Sequence, residues 1–383
     1  MRTNSSLIPA LAQVRAARRF RTHPCLLAAA AVATLTSPLV ANASQVAIYG
    51  IYDLGVTRIS NANGAGLTRM EDSILQGNRL GFRGTEDLGN GLSAFFNLEM
   101  GFAGDTGALR QGGLGFGRVS IVGLSHKAYG ELSMGRQFDQ MNAALIRFSP
   151  IVSAGVYSAM VGDADRVAGN WLNNMITYKS PDLGGFKFNA QYSFSEKGTS
   201  ATNAGNAYSL GATYSNGNFN AGAAMTEIRG HSVTPGSAFG VSQFMGAAVA
   251  RNTVVTLSNY RTAGVGAGYT FGPVTVSSLV TSTRYAVASG ASRNLTSIAI
   301  PVVYRPSAQW LFEAGYAQSR LEDSRWHHVS LMADYFLSKR TDVYVSANLE
   351  KASGNGTSAV IFTLPTSGSN RQTALRAGIR HRF

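Results

Sequence analysis

Residues 78–102, NRLGFRGTEDLGNGLSAFFNLEMGF, alternate between apolar and polar positions in two runs joined by a Gly-rich turn. Side chains alternate across a strand, so Leu80 and Phe82 share one face while Arg79, Gly81 and Arg83 share the other. In the second run Leu92, Ala94, Phe96, Leu98, Met100 and Phe102 lie opposite Ser93, Phe95, Asn97 and Glu99. Residues 86–91 supply the turn. The pattern predicts a β-hairpin with one greasy face and one face carrying arginines and a carboxylate. A soluble sandwich would bury the greasy face on a second sheet. A transmembrane barrel would turn it to lipid and the charged face to a wet lumen.

The rest of the chain decides between them. Alternation recurs at 45–56, 116–125 and 131–137, then at 174–180, 186–194, 207–214, 218–228, 261–270, 274–285, 294–305, 310–319, 327–337, 341–351 and 372–383. With the hairpin this makes about sixteen strands of roughly ten residues, which suits tilted bilayer crossings. Short turns at 181–185, 215–217, 271–273, 306–309 and 338–340 alternate with long polar stretches at 195–206, 229–260, 286–293 and 352–371. A sandwich has no reason to segregate connections by length. The expected fold is therefore all-β, a transmembrane antiparallel barrel. Tyr49, Tyr52, Tyr178, Tyr192, Tyr269, Tyr304, Trp310, Tyr335 and Phe383 fall near strand ends, where interfacial girdles belong.

One connection breaks the rhythm. Residues 138–173 mix Met141, Leu145, Ile146, Ile151, Val152, Met160 and Val161 with Asp139, Arg147, Asp163, Asp165 and Arg166. A connection of about 35 residues is far beyond the usual few and points to function. Its apolar content predicts a folded segment packed against something.

The ends and the composition narrow the class. Arg2, Arg15, Arg18, Arg19 and Arg21 precede a mostly apolar run over 25–40 and then Ala41-Asn42-Ala43. This reads as a signal peptide, 1–43, cleaved before Ser44 and implying export. The first strand would then begin directly, with no plug domain ahead of it. Without those five arginines the 33 basic and 20 acidic residues become 28 − 20 = +8. The only cysteine, Cys25, would leave with the signal, so no disulfide framework or cysteine-based metal site is expected. After residue 43 no apolar run is long enough for a helical span. The histidines show no HExxH spacing, no GxSxG elbow occurs, and the glycines form no phosphate-cradling loop, so neither enzymatic chemistry nor a cofactor is indicated. Positive charge is spread without a cluster, against nucleic-acid binding.

Several motifs resemble the Gram-negative general porins of the β-proteobacterial and neisserial type. They are VAIYGIYDLGV at 46–56, the 78–102 hairpin, GRVSIVGLS at 117–125, GELSMGRQ at 130–137, NNMITYKSPDLGGF at 173–186 and the ending GIRHRF. Met175 departs from the usual serine in the NNS motif, and 229–260 follows no recognised pattern. The resemblance implies a sixteen-stranded barrel in the outer membrane among lipid and lipopolysaccharide. It also implies a homotrimer and a third external loop, 138–173 here, folded inward to narrow the pore. Phe383 would be the signal read by the barrel-assembly machinery.

The residues that would govern permeation follow from sign and parity. An arginine facing lipid at mid-depth would cost about 2–4 kcal/mol, so Arg79, Arg83 and Arg118 are expected in the lumen. There they would set ion selectivity, or brace the wall by pairing with Glu99. Arg136, Arg147 and Arg166 lie in or beside the long connection as further candidates. By resemblance Asp139, Asp163 and Asp165 would face the wall arginines from the infolded loop and make a transverse field. Some would pair with Arg147 and Arg166, leaving the wall in positive excess. The expected function is passive diffusion of small hydrophilic solutes and ions with an anion preference. A substrate-selective channel on the same frame and a closed adhesive or structural barrel are the alternatives.

Overall fold

The computed structural model describes residues 45–196 and 205–383; the expected signal peptide and part of the 195–206 connection lie outside them. The wall begins with β1 (Gln45–Ala62), β2 (Ala65–Asp72), β3 (Arg79–Gly89), β4 (Leu92–Gly101), β5 (Val119–His126) and β6 (Gly130–Phe138). It continues through β7 (Trp171–Lys179), β8 (Phe186–Ser193), β9 (Ala207–Asn216) and β10 (Phe219–Arg229). Four two-residue strands, β11 (Ser232–Val233), β12 (Gln243–Phe244), β13 (Ala247–Ala248) and β14 (Val255–Thr256), lie in one external connection. The wall resumes with β15 (Asn259–Phe271), β16 (Val274–Ala286), β17 (Ser292–Tyr304), β18 (Trp310–Leu321), β19 (Ser324–Phe336), β20 (Thr341–Ser353) and β21 (Arg371–Arg382). Every neighbouring pair is antiparallel, and β21 pairs back onto β1 from Ile51↔Arg382 to Ile59↔Ala374. Closure removes the unpaired edge that lipid would penalise. Counting β2 and β3 as one interrupted strand gives a closed barrel of sixteen strands.

Parity sorts the faces. In β15 and β16, Val265 and Val280 point outward and are exposed, while Thr262, Leu279 and Thr283 point inward and are fully covered. The lower ends of the later strands carry an aromatic belt: Trp310 lies 4.8 Å from Tyr335 and 5.3 Å from Phe312, and Tyr304 is 6.3 Å from Phe312. Tyr49 does not belong to such a girdle. Its register partner Gly81 faces inward, and its hydroxyl donates to Asn97 Oδ1 at 2.8 Å inside the barrel.

Three local readings are corrected. First, the alternating runs left 57–77 without a strand, but β1 runs on to Ala62 and β2 covers 65–72: Leu67, Arg69 and Glu71 alternate with Thr68, Met70 and Asp72, and only 73–78 interrupts it. Second, alternation over 116–125 sets Val119 and Ile121 opposite Arg118, on the lipid side; they instead pair with Glu99 and Asn97 and face inward, while Val122 and Leu124 are the exposed outward residues. Third, connection length segregates less strictly than expected. The strands extend until only 63–64 and 322–323 remain as two of the external turns.

The long connection at 139–170 is folded, through α1 (Gln140–Leu145), α2 (Ile151–Ala154) and short 3-10 turns. Asp139 caps α1, accepting from Asn142 N at 3.4 Å. Met141, Leu145 and Phe148 pack on inward residues of the wall, Ala224, Leu279, Ala299 and Ala317. A Cβ at Gly222 or Gly266 would collide with the Phe148 ring, so those glycines form the groove in which the loop lies. Burying three such side chains contributes about 1.5–3 kcal/mol each. The loop tip then reaches the opposite wall, where Tyr157 bonds Glu71 and lies 3.3 Å from Thr57 Oγ1. On its return the Ala164 carbonyl accepts from Tyr260 Oη at 2.7 Å and Thr283 Oγ1 at 2.8 Å.

Two further connections cover the same end. The 230–258 segment, with α3 (Pro235–Ala238), places Phe239 and Phe244 on Tyr285, each at 5.7 Å. The 354–370 segment is tied to the wall where Ile361 N donates to Gln372 Oε1 at 2.8 Å.

Candidate functional site

Between the third external loop and the β2/β3 side of the wall lies a cavity of about 1060 Å³. Its lining carries eight basic residues, Arg69, Arg79, Arg110, Arg118, Arg305, Lys339, Arg380 and Arg382, against four acidic ones, Glu71, Asp72, Asp105 and Asp334. With Glu99 and Asp342, the carboxylates behind this lining that pair with its arginines, the balance is 8 − 6 = +2. The loop contributes Asn142, Ile146, Ile151, Val152, Ser153, Val156, Ala168 and Gly169, none of them charged. The site is thus a wet passage with one cationic wall and one neutral wall.

The cationic wall is held by shared carboxylates. Arg118 Nε donates to Glu99 Oε1 at 2.6 Å, Arg79 NH1 lies 3.9 Å from Glu99 Oε2, and Tyr49 Oη lies 3.1 Å from that same oxygen. Two guanidiniums on one carboxylate leave a net positive charge. Arg118 also lies 5.4 Å from the Trp171 ring and 5.7 Å from the Phe138 ring. These aromatic faces favour a cation that would otherwise be repelled by Arg79. Arg118 reaches the lumen for a reason that parity does not supply. It precedes β5, its N–H bonds the Glu99 carbonyl at 3.1 Å, and its side chain turns in from the strand end.

A second cationic group comes from the terminal strand. Arg380 donates to both oxygens of Asp342, with NH2 at 3.0 Å, and lies 3.3 Å from Asp334; Arg382 joins Asp342 at 2.8 Å. Two arginines and two aspartates balance. Among the described residues no ion pair forms to Arg305 or Lys339, which add charge at the lower end of the same wall. Arg110 pairs with Asp72, and Arg69 with Glu71 at 2.5 Å.

The other residues picked out by the sequence lie elsewhere. Arg83 is exposed on the inner face, 5.4 Å from the Tyr49 ring, outside the cavity lining. Arg136 shares its parity with the outward Leu132 and Met134, donates to the Gly117 carbonyl at 2.7 Å and bonds Asn173. Arg147 is exposed and reaches only Asn220 Oδ1, at 3.4 Å, so it pairs with no loop carboxylate.

Asp139, Asp163, Asp165 and Arg166 form a buried cluster away from the cavity, where the loop meets β15 and β16. Arg166 is paired with Asp139. Asp163 accepts from Ala168 N at 2.8 Å and Asn170 Nδ2 at 2.6 Å, and Asp165 accepts from Thr281 Oγ1 at 3.3 Å. The expectation that these carboxylates face the wall arginines across the passage is therefore not the arrangement seen. With three carboxylates to one guanidinium, burial and the neighbouring Asp165 push Asp163 well above the usual carboxylate range. Burial raises Asp165 to about 6. Burial alone would lower the Arg166 pKa, but the carboxylate of Asp139 raises it overall. Burial and then Arg166 bring His231, stacked on Tyr260 at 4.8 Å, down to about 4.

A closed sixteen-stranded barrel with an apolar exterior and a charged interior cavity defines an outer-membrane channel protein. The Gram-negative porin profile matches residues 28–355, and the chain belongs to that family. Outer membrane porin protein 32 of Delftia acidovorans is 29% identical over 356 residues, 89% of this chain and 94% of the relative. A Bordetella pertussis outer membrane porin is 36% identical over 186 residues, 44% of this chain and 48% of that one. Among solved structures, the anion-selective porin from Comamonas acidovorans superposes with a TM-score of 0.73 at 27% identity, covering 89% of this chain and all of that one.

Proposed function

We propose that the protein is a passive, water-filled diffusion pore of the outer membrane, passing small hydrophilic solutes and ions with a modest preference for anions. The observation that carries this reading is the cavity wall, +2 with its paired carboxylates counted, against a neutral loop. Where water is scarce and the walls are of low dielectric, lumen charge sets which ion enters. The likeness to an anion-selective porin supports the same sign. Arg79 and Arg118 are the proposed selectivity residues, with Arg380, Arg382, Arg305 and Lys339 extending the cationic path. Arg83 and Arg147, exposed outside the lining, contribute to the approach and exit, while Arg136 braces β6 on Gly117 and Asn173.

A homotrimer is proposed alongside. The outward faces of the early strands carry exposed Val46, Ile48, Val122, Leu124, Leu132 and Met134, which a neighbouring copy would cover as well as lipid does. Native mass measurement in mild detergent should give three chains per particle; a monomer alone would count against it.

Single-channel recording in planar bilayers tests the function. Steady ohmic current is expected. Silence would favour a closed barrel, and current blocked by one solute would favour a substrate-selective channel. The last reading has one observation behind it: the 230–258 and 354–370 segments add to the third loop at the external end.

A further inference from the structure

Opposite Tyr52 and Asp53 of β1, the second strand of the wall inserts six residues, 73–78, between the pairs Leu54↔Asp72 and Ile51↔Arg79. Six residues facing two cannot stay in the sheet. They fold into the lumen, where Ile74, Gln76, Gly77 and Asn78 line the cavity. We propose that this excursion is a second constriction arm, latched to the tip of the third loop, and that Asp53 is the positioning residue that holds it and thereby sets pore width and selectivity. The proposal rests on the open-pore reading above.

Asp53 is fully buried and ties down both ends of the arm. Its carboxylate accepts from Leu75 N at 2.7 Å and Gln76 N at 3.0 Å. Its carbonyl accepts from Ser73 N at 3.1 Å, and its own N–H donates to Asn78 Oδ1 at 2.6 Å. The other carboxylate oxygen takes Tyr344 Oη at 2.5 Å, with Arg376 3.8 Å away. Among the described residues, no other side chain of the wall accepts from two successive N–H groups of the arm. Hydrogen bonds from two successive backbone N–H groups to an ionised carboxylate are of the strong kind. They fix a segment whose own backbone would otherwise find only water.

The arm in turn carries the chemistry of the passage. Asn78 Nδ2 donates to Asp72 Oδ2 at 2.9 Å, which sets the carboxylate that pairs with Arg110. The Gly77 carbonyl accepts from Arg79 Nε at 2.9 Å, aiming that guanidinium, and Gln76 Oε1 accepts from Arg380 at 3.3 Å. On its far side the Ile74 carbonyl accepts Val156 N of the third loop at 2.8 Å, and the two side chains share an apolar cluster with Tyr157. The two arms close on each other, and Asp53 stands behind the joint.

Asp53→Ala should raise unit conductance on the order of twofold, since ohmic conductance follows the cross-section at the narrowest point. It should also move the reversal potential toward that of Arg79→Ser, because Arg79 loses its Gly77 partner. A residue that merely stabilised the barrel would change the number of channels and leave both unit properties alone. A second measurement needs no current. In a Cys25→Ala background, Ile74→Cys with Val156→Cys should cross-link in the folded barrel when Asp53 is present and lose most of that cross-linking with Asp53→Ala. Only the minority of triple-variant channels that still cross-link should return to the lower unit conductance on oxidation. If Asp53→Ala does not fold, Asp53→Leu, close in shape but with no acceptor for Leu75 N and Gln76 N, carries the same comparisons. Wild-type conductance, reversal potential and cross-linking in a folded Asp53 variant would overturn the proposal. A silent wild-type protein would fail the pore reading instead, while the cross-link would still decide the role of Asp53.

Discussion

Arg166→Met tests how the third loop is held. Arg166 and Asp139 are an ion pair with side chains 4% and 0% exposed, and Asp163 and Asp165 lie in the same buried cluster. Removing the cation strands the Asp139 carboxylate, with Asp163 and Asp165 beside it, without a counter-charge. Breaking a buried pair from one side costs about 3–5 kcal/mol. The apolar contacts of Met141, Leu145 and Phe148, at about 1.5–3 kcal/mol each, keep the first half of the loop on β10 and β15–β18. The return limb depends more on polar contacts through Ala164 to Tyr260 and Thr283, so it is the part that should release. A loss of about 3 kcal/mol moves the docked-to-released ratio by roughly two orders of magnitude. Single-channel recordings should then show flickering between the parent level and a larger one. Adding Asp139→Asn should recover part of the loss, because the stranded charge is smaller. A folded Arg166→Met protein with wild-type conductance and noise would refute this account of the loop.

The pH dependence of the same cluster has a definite sign. The folded pKa of Asp165 is raised to about 6, so its protonated form is favoured on folding, and that contribution is fully present below the unfolded value near 4 and lost as pH rises through about 6. Loop docking should therefore tighten on going from pH 8 to pH 5, seen as slower amide exchange over 156–170, and Asp163→Asn with Asp165→Asn, the two carboxyls raised by burial, should abolish most of that change; looser docking in acid would contradict it. At the closure seam, Phe383 N donates to the Gly50 carbonyl at 3.1 Å and Gly50 N donates back at 3.0 Å. Deleting Phe383 should lower the yield of folded, heat-modifiable protein in outer membranes, and normal assembly of the shortened chain would remove that role.

How far the sequence reveals this molecule depends on what each residue's position is referred to. Within a regular strand, parity is a sufficient guide: Arg79, Glu99 and Asn97 share the inner face as their alternation requires. The same rule fails one residue outside a strand. Arg118 precedes β5, so counting from it inverted Val119 and Ile121. The second wall strand was hidden because 73–78 cuts it into a short polar piece and a longer regular one. For the long loop, apolar content was enough to foresee folding but not orientation. Which side Asp139, Asp163 and Asp165 face is decided by long-range contacts to Tyr260, Thr281 and Thr283, and no local spacing encodes those. Arg380 and Arg382 did alternate onto the inner face of the last strand. Their place in the passage needed the closure that brings β21 beside β1. Arg305 and Lys339 sit at turns, where a basic residue ordinarily signals only a solvated corner.

The most direct test of the central claim is the reversal potential of the purified protein in a planar bilayer under a KCl gradient. The wall charge of +2 against an uncharged loop face predicts anion preference, weakening as salt shortens the screening length from about 8 Å toward 3 Å. Changing Arg79 and Arg118 together to Ser should move the potential toward zero or past it, since Glu99 would then stand alone. Cation preference in the native protein, or an unmoved potential in the double variant, would contradict the account.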